Sequence, residues 1–152
     1  MNDKELFALD TNNLVFADDP SSVVHSLSKN YLEEAFKGSR PVCLSPQILA
    51  EYFAVITNPK RIKNPLSVQE AATRVLFLNK SHHIKKIYPK HSALKRSAQF
   101  CAKHNIQGAR IFDVFYALTL IDNSIHTLVT QNTKDFVFFK ELKLINPFPL
   151  AV

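Results

Sequence analysis

The chain has 152 residues, of which 46% are hydrophobic, and a formal net charge of +6. This length suits one hydrophobic core, so we predict one domain over residues 1–152. Only two glycines occur, which excludes the glycine-rich loops that bind dinucleotides or nucleoside triphosphates. The first residues carry several charges, and no apolar run approaches the length of a membrane span. We therefore expect a cytoplasmic protein without a membrane partner.

Positive charge is concentrated in the middle of the chain. Residues 60–110, called the basic segment below, contain twelve Lys and Arg against one acid, Glu70. Such segregation is typical of a protein that docks a polyanion, although a solvated helical surface has the same composition. The candidates for contact with nucleic-acid phosphates are Lys60, Arg61, Lys63, Lys85, Lys86, Lys95, Arg96 and Arg110.

The first elements alternate between strand and helix patterns. Residues 6–9 (LFAL) and 41–44 (PVCL) are short apolar runs that predict buried strands. Between them, Asp19 followed by Pro20 predicts the start of a helix, and Gly38 is placed to end it.

The rest of the chain continues the alternation. Ser45 followed by Pro46 predicts the start of a second helix, which carries Glu51 and ends before Pro59. Alternating strands and helices imply a central parallel sheet flanked by helices, an α/β fold. The remaining predicted elements are helices over 67–80, 92–104, 109–123 and 135–142 and strands over 84–88 and 126–130.

Four acids stand in otherwise apolar stretches. A carboxylate taken out of water must be paired, hydrogen-bonded or bound to a metal. The four are Asp10 after LFAL, Glu51 in PQILAEYFAVI, Asp113 in IFDVFYALTLI and Asp135 before FVFF. Each also has a structural interpretation of its own: Asp10 could cap a turn, Glu51 could pair with Arg61 or Lys63, Asp113 could pair with Arg110, and Asp135 could cap a helix.

Together the four acids favour a metal site. Asp10 and Asp135 both follow predicted strands, and the carboxyl ends of parallel strands lie at one edge of a sheet. Carboxylates without His or Cys at ligand spacing favour Mg²⁺ or Mn²⁺ over zinc. Such a cation beside a basic segment suits a phosphodiester, because it neutralises the phosphate and lowers the pKa of an attacking water. We therefore predict a metal-dependent nuclease.

The same acids lie in segments that resemble a known family. These segments are LDTNNLVFA, SPQILAEYFAVITNP, GARIFDVFYALTL and LVTQNTKDF, and the similarity extends to the closing LINPF. They resemble the PIN-domain nucleases, in particular the VapC-type toxins of toxin–antitoxin pairs. The resemblance implies a PIN-like fold, Mg²⁺-dependent endonucleolytic cleavage of RNA, a homodimer and a cognate antitoxin that keeps the enzyme inactive.

The resemblance also implies roles for individual residues. The metal ligands and catalytic residues would be Asp10, Glu51, Asp113 and Asp135, with Glu51 binding directly or through water. Supporting hydrogen bonds would come from Thr11 and Asn12 at the end of the first strand and from Thr130 and Asn132 in a later loop. Two other interpretations stay open: a housekeeping PIN ribonuclease that processes RNA, and a catalytically silent PIN-fold module that binds RNA or a partner.

Overall fold

A computed structural model of the protein describes residues 4–147. Predictions that involve residues 1–3 or 148–152, including the end of LINPF, lie outside the described residues. Within residues 4–147, five parallel strands form one sheet in the order β3-β2-β1-β4-β5. They are β1 (Phe7–Leu9), β2 (Val42–Leu44), β3 (Ile84–Lys86), β4 (Thr127–Val129) and β5 (Lys143–Ile145).

Six α-helices from the described part of the chain flank this sheet, and the predicted α/β fold with a central parallel sheet is confirmed. No helix within residues 4–147 is both long enough and apolar enough to cross a membrane. The helices are α1 (Thr11–Asp18), α2 (His25–Phe36), α3 (Pro46–Ile56), α4 (Val68–Lys80), α5 (Ala93–His104) and α6 (Arg110–Asp122), and a short 3₁₀-helix covers Thr133–Phe136.

The central strands are buried on both faces. Leu9 of β1, Leu44 of β2 and Leu128 of β4 have no solvent-exposed surface. This explains why their sequences read as continuous apolar runs rather than as alternating patterns, because helices cover both sides of a parallel sheet. The middle of the sheet is therefore a rigid base for the residues that follow each strand.

The start of α3 follows the sequence signal. The Ser45 side chain accepts a hydrogen bond from the backbone N–H of Ile48, and Pro46 occupies the first turn. The helix continues to Ile56 and carries Glu51 on a half-buried surface. The predicted position of Glu51 inside a helix is confirmed.

The segment after β1 forms a helix that the sequence pattern did not predict. α1 begins at Thr11, immediately after the strand. Its first turn is capped by the Asp10 carboxylate, which accepts a hydrogen bond from the backbone N–H of Asn13. Asp10 therefore both ends a strand and starts a helix, which fixes its side chain at the sheet edge.

The predicted start of the next helix is wrong. Asp19 and Pro20 do not begin α2, because the Asp19 carboxylate instead accepts hydrogen bonds from the backbone and hydroxyl of Ser21 in a local turn. α2 begins only at His25, without a side-chain cap. Its predicted end is confirmed, since Gly38 follows the last turn with a positive φ of 72°.

The C-terminal part also differs from the prediction. The prediction of a helix over 135–142 is wrong for most of that segment, because the 3₁₀-helix ends at Phe136 and turns follow it. Lys143–Ile145 forms the edge strand β5, paired in parallel with β4. Three residues are too few for a periodic signal, so hydrogen bonding to β4 decides their conformation.

Strand order locates the functional crevice. The chain runs from β1 outward through β2 to β3 and then returns to the other side of β1 to form β4. In open parallel sheets, ligands bind at the carboxyl ends of the strands where the order reverses in this way. Here that point lies between Asp10, which follows β1, and Thr130, which follows β4.

Candidate active site

An open cleft of about 370 Å³ lies at this edge of the sheet. Three of the predicted acids line it: Asp10 after β1, Glu51 from α3 and Asp113 from α6. The fourth, Asp135 in the 3₁₀-helix, lies close enough for its charge to raise the pKa of Asp113. Acids separated by more than a hundred residues of sequence are thus brought to one side of the sheet.

Asp10 is a buried carboxylate held by three donors. One oxygen accepts from the Thr130 hydroxyl at 2.5 Å, and the other accepts from the Asn13 side-chain amide at 3.0 Å and the Asn13 backbone N–H at 3.2 Å. Burial raises the pKa of Asp10, and the hydrogen bonds from Thr130 and Asn13 oppose that rise. The capping role considered for Asp10 is real and coexists with its place in the cleft.

Glu51 is oriented by two side chains. One carboxylate oxygen accepts from the Thr11 hydroxyl at 2.8 Å and the other from the Gln47 amide at 2.8 Å. The Gln47 nitrogen also donates to the backbone carbonyl of Phe112 at 2.9 Å, which ties α3 to α6. Thr11 therefore supports Glu51, a different contact from the predicted one at the end of β1.

None of the ion pairs formed within residues 4–147 includes any of the four acids. The alternative pairings of Glu51 with Arg61 or Lys63, and of Asp113 with Arg110, are therefore wrong as ion pairs. The pKa of Asp113 is raised to about 6, mainly by burial and also by repulsion from Asp135, Glu51 and Asp10. The positive charge of Arg110 opposes this rise only in part. The cleft carboxylates thus have no ion-pair partner within residues 4–147, and at Asp113 the attraction of Arg110 does not offset burial and the repulsion from the other acids.

The buried amide of Asn13 was missed by the sequence analysis, which assigned the supporting role to Asn12. The Asn13 side chain is 1% exposed and donates to both Asp10 and the Val129 carbonyl, at 3.0 and 2.7 Å. Asn12 lines the cleft, and its backbone N–H helps to lower the pKa of Asp10. The amide that joins α1 to β4 is therefore that of Asn13.

Asn13→Ala is expected to lower the free energy of unfolding by about 2–3 kcal/mol, because the Asp10 carboxylate and the Val129 carbonyl both lose a buried donor. Asn12→Ala is the matched control and is expected to change it by less than about 0.5 kcal/mol. Chemical denaturation of both variants measures the difference. Equal losses would contradict the assignment of the supporting amide to Asn13.

Two further cleft residues could have been found from helical spacing. Gln47 lies four residues before Glu51, and Tyr116 lies three residues after Asp113, so each shares a helix face with an acid. Tyr116 is buried at the lining of the cleft, and its hydroxyl donates to the Leu9 carbonyl at 2.6 Å. Neither residue is charged, so the pattern of isolated acids in apolar stretches did not indicate them.

The loop after β4 contains the two other predicted supporting residues. Thr130 is fully buried, and its hydroxyl accepts from the backbone N–H of Asn132 at 3.0 Å while donating to Asp10. Asn132 thus supports Asp10 indirectly, through the hydrogen bond from its backbone N–H to Thr130, and Asn132 also lines the cleft. Both residues lie where the sequence analysis expected support for the acids.

The basic candidates fall into three groups. Arg61 borders the cleft, and Arg110 lies one helical turn before Asp113. Lys86 and Arg96 are engaged within the chain, since Lys86 donates to two backbone carbonyls and Arg96 pairs with Asp122. The remaining candidates are exposed to solvent, namely Lys60, Lys63, Lys85 and Lys95.

The donor chemistry of the cleft suits a hard divalent cation. The acids at the cleft offer carboxylate oxygens, the ligands that such a cation prefers. A bound cation would also relieve the repulsion among these carboxylates. Within residues 4–147, however, no three His, Cys, Asp or Glu side chains already form a set that could hold a metal ion. Binding one would therefore draw the carboxylates closer together than they stand here.

Comparison with solved structures gives the fold a name. VapC20 of Mycobacterium tuberculosis, a sarcin-ricin loop cleaving toxin, is 12% identical with a TM-score of 0.63 over 85% of this chain and 92% of that chain. A chain of VapBC2 from Rickettsia felis, bound to a promoter DNA fragment, is 20% identical with a TM-score of 0.61 over 93% and 98%. This chain has the VapC fold. At these identities the similarity establishes the architecture.

Other toxin–antitoxin structures agree. VapBC-1 from nontypeable Haemophilus influenzae is 17% identical, with a TM-score of 0.60 over 93% of this chain and 98% of that chain. The sequence itself matches no family model and no curated protein. The VapC fold therefore rests on three-dimensional architecture, as expected from the segments that resemble PIN-domain nucleases.

Proposed function

We propose that this protein is a Mg²⁺-dependent endoribonuclease that acts as the toxin of a toxin–antitoxin pair. The observation that carries the proposal is the convergence of Asp10, Glu51 and Asp113 on one cleft, with Asp135 beside them and no ion pair to neutralise them. The VapC fold supports the same activity. All four acids are present, which disfavours a catalytically silent module.

The chain's own residues would organise the metal site. Asp10 and Asp113 would be the main ligands, Glu51 would bind directly or through water, and Asp135 would complete the set. Mg²⁺, or Mn²⁺ in its place, would neutralise the scissile phosphate and lower the pKa of the attacking water. Thr130 keeps the buried Asp10 carboxylate hydrogen-bonded, which favours its ionised form.

RNA would approach along the basic side of the cleft. Arg61 borders the carboxylates and is exposed, so it can pair with a phosphate next to the one that is cut. The exposed lysines of the basic segment, Lys60, Lys63, Lys85 and Lys95, would extend this contact along the backbone. Such contacts release counterions, so RNA binding should weaken steeply with salt.

The proposed partners are a cognate antitoxin and a second copy of the chain. Solved structures with this fold include VapBC complexes, which supports an antitoxin. A basic side chain of that antitoxin, placed among the unneutralised carboxylates, would satisfy their charge and exclude the metal.

The toxin function is tested by inducing the chain in a bacterial host. We expect wild-type protein to arrest growth and to produce discrete RNA fragments, and Asp10→Asn to do neither. Glu141→Gln, which changes an exposed acid outside the cleft, is the matched control and should remain toxic. Growth arrest by Asp10→Asn that equals the wild type would contradict the proposal.

A further inference from the structure

The Gln47 side chain has one polar atom without a partner. Its nitrogen is fixed between two acceptors, Glu51 and the Phe112 carbonyl, so the amide cannot turn without losing both bonds. Its oxygen, Oε1, is shielded from solvent and has no hydrogen-bond partner within residues 4–147. A buried acceptor without a donor is costly. Gln47 as a whole is half-buried and borders the cleft, so a ligand that enters this corner and displaces the groups covering Oε1 is a source of that donor.

Phe112 is a second unexplained feature of the same corner. It borders the cleft that contains the carboxylates, yet 54% of its surface is exposed. Its backbone is held by the hydrogen bond from Gln47 and by its place in the first turn of α6. An exposed ring on a fixed backbone, next to charged groups that suit a phosphate, is the arrangement that stacks a nucleobase in single-stranded nucleic acids.

We propose that Gln47 and Phe112 form a subsite for one unpaired nucleotide beside the scissile phosphate. The Phe112 ring stacks on its base, and Gln47 Oε1 accepts a hydrogen bond from its sugar 2′-hydroxyl or from an amino group of its base. This subsite rests on the proposed ribonuclease function. It makes single-stranded RNA the preferred substrate, since a paired base is not free to stack.

The positive charge of Arg61 favours a nucleotide over a second copy of the chain as the occupant of this subsite. Arg61 lines the same cleft as the carboxylates and offers a positive charge for a phosphate. An apolar protein partner on Phe112 would supply no donor to Gln47 Oε1 and would make no use of the positive charge of Arg61. A nucleotide satisfies all three residues at once, because it supplies a base, a hydrogen-bond donor and a phosphate.

Stacking is tested with a short single-stranded oligoribonucleotide that carries 2-aminopurine at successive positions, whose fluorescence reports stacking. The protein carries Asp10→Asn so that the RNA stays intact. We expect fluorescence to change on binding at one position, and Phe112→Leu to abolish that change and weaken binding roughly tenfold. Phe112→Tyr should preserve both. Phe77→Leu, which changes an equally exposed phenylalanine on α4, is the matched control.

The salt dependence of RNA binding distinguishes the contribution of the Phe112 ring from that of the Arg61 charge. The loss on Phe112→Leu should be the same at low and physiological salt, whereas Arg61→Gln should reduce the salt slope. Unchanged binding and fluorescence with Phe112→Leu would overturn the subsite. A shift from dimer to monomer without a loss of RNA affinity would also overturn it, because Phe112 would then be a protein contact.

The hydrogen bond is tested by a double-mutant cycle with Gln47→Met. One arm removes the 2′-hydroxyl at the stacked nucleotide, and the other replaces the amino group of its base with hydrogen. We expect one of the two changes to weaken wild-type binding roughly fivefold and to have no effect with Gln47→Met. Coupling in neither arm would overturn the assignment of Gln47.

Cleavage of the same RNA in Mg²⁺ distinguishes a failure of the subsite from a failure of the proposed ribonuclease function. If no protein cuts it, wild type included, the proposed function fails. If wild type cuts it and Phe112→Leu binds and cuts it equally well, the function stands and the subsite alone fails.

Discussion

Asp113→Asn is expected to abolish RNA cleavage and, at the same time, to stabilise the protein in the absence of metal. Cleavage should fall by on the order of a thousandfold, because the variant loses a ligand and a full charge at the metal site. Stability should rise because burial and repulsion from Asp135, Glu51 and Asp10 already disfavour the ionised form of Asp113. After allowance for partial exposure, we expect about 1 kcal/mol, or roughly 2–4 °C in Tm.

The stability gained by Asp113→Asn should depend on pH. Because the pKa of Asp113 is raised to about 6 in the folded protein from 3.8, the folded state binds more protons than the unfolded state between these values. Wild-type stability therefore falls as pH rises through this range. The advantage of Asp113→Asn should be small near pH 4 and complete above pH 7, in thermal melts with a chelator.

A matched control lies on the same helix. Asp122 forms an ion pair with Arg96, so Asp122→Asn should lower Tm slightly or leave it unchanged. A lower Tm for Asp113→Asn than for wild type at pH 7 would show that the carboxylates are not in repulsive contact, and would remove the electrostatic reason for a cation in the cleft.

Thr130→Val is expected to weaken Mg²⁺ binding and cleavage roughly 10- to 100-fold. Valine has the shape of threonine but cannot donate to Asp10 or accept from the backbone N–H of Asn132. The Asp10 carboxylate would then lose its Thr130 donor in a buried setting and keep its Asn13 donors. The free energy of unfolding should also fall, by about 2 kcal/mol.

Calorimetric titration with Mg²⁺ and denaturant unfolding measure the two effects. Thr119→Val is the matched control, since Thr119 is equally buried but donates to a carbonyl of its own helix, that of Phe115. It should change stability modestly and leave Mg²⁺ affinity as in wild type. Equal Mg²⁺ affinities for wild type and Thr130→Val would show that Asp10 does not need this hydroxyl to act as a ligand.

The sequence predicted the parts of the site that depend on local signals. A continuous apolar strand ends at Asp10, and the cap Ser45 with Pro46 begins the helix that carries Glu51. Alternating elements predicted the parallel sheet, which brings the residues after β1 and β4 to one edge. These inferences needed only short segments of the chain and the general geometry of parallel sheets.

Features set by tertiary contacts were not predicted. α1 was missed because its N-cap is Asp10, which the sequence indicated as a possible turn cap and a metal ligand but not as the start of a helix. β5 depends on pairing with β4 rather than on its own three residues. The contact between Gln47 and the Phe112 carbonyl joins residues 65 positions apart. No local pattern encodes such a distance, so the corner that we propose as a nucleotide subsite required the structure.

The most direct test of the central claim is cleavage of total cellular RNA by the purified protein, with Mg²⁺ and with a chelator. Asp10→Asn is compared with wild type, and Glu141→Gln is the control. Discrete fragments that require Mg²⁺, appear with wild type and Glu141→Gln, and are absent with Asp10→Asn are the predicted result. Fragments that persist in chelator, or that Asp10→Asn produces at the wild-type rate, would contradict a ribonuclease built on these carboxylates.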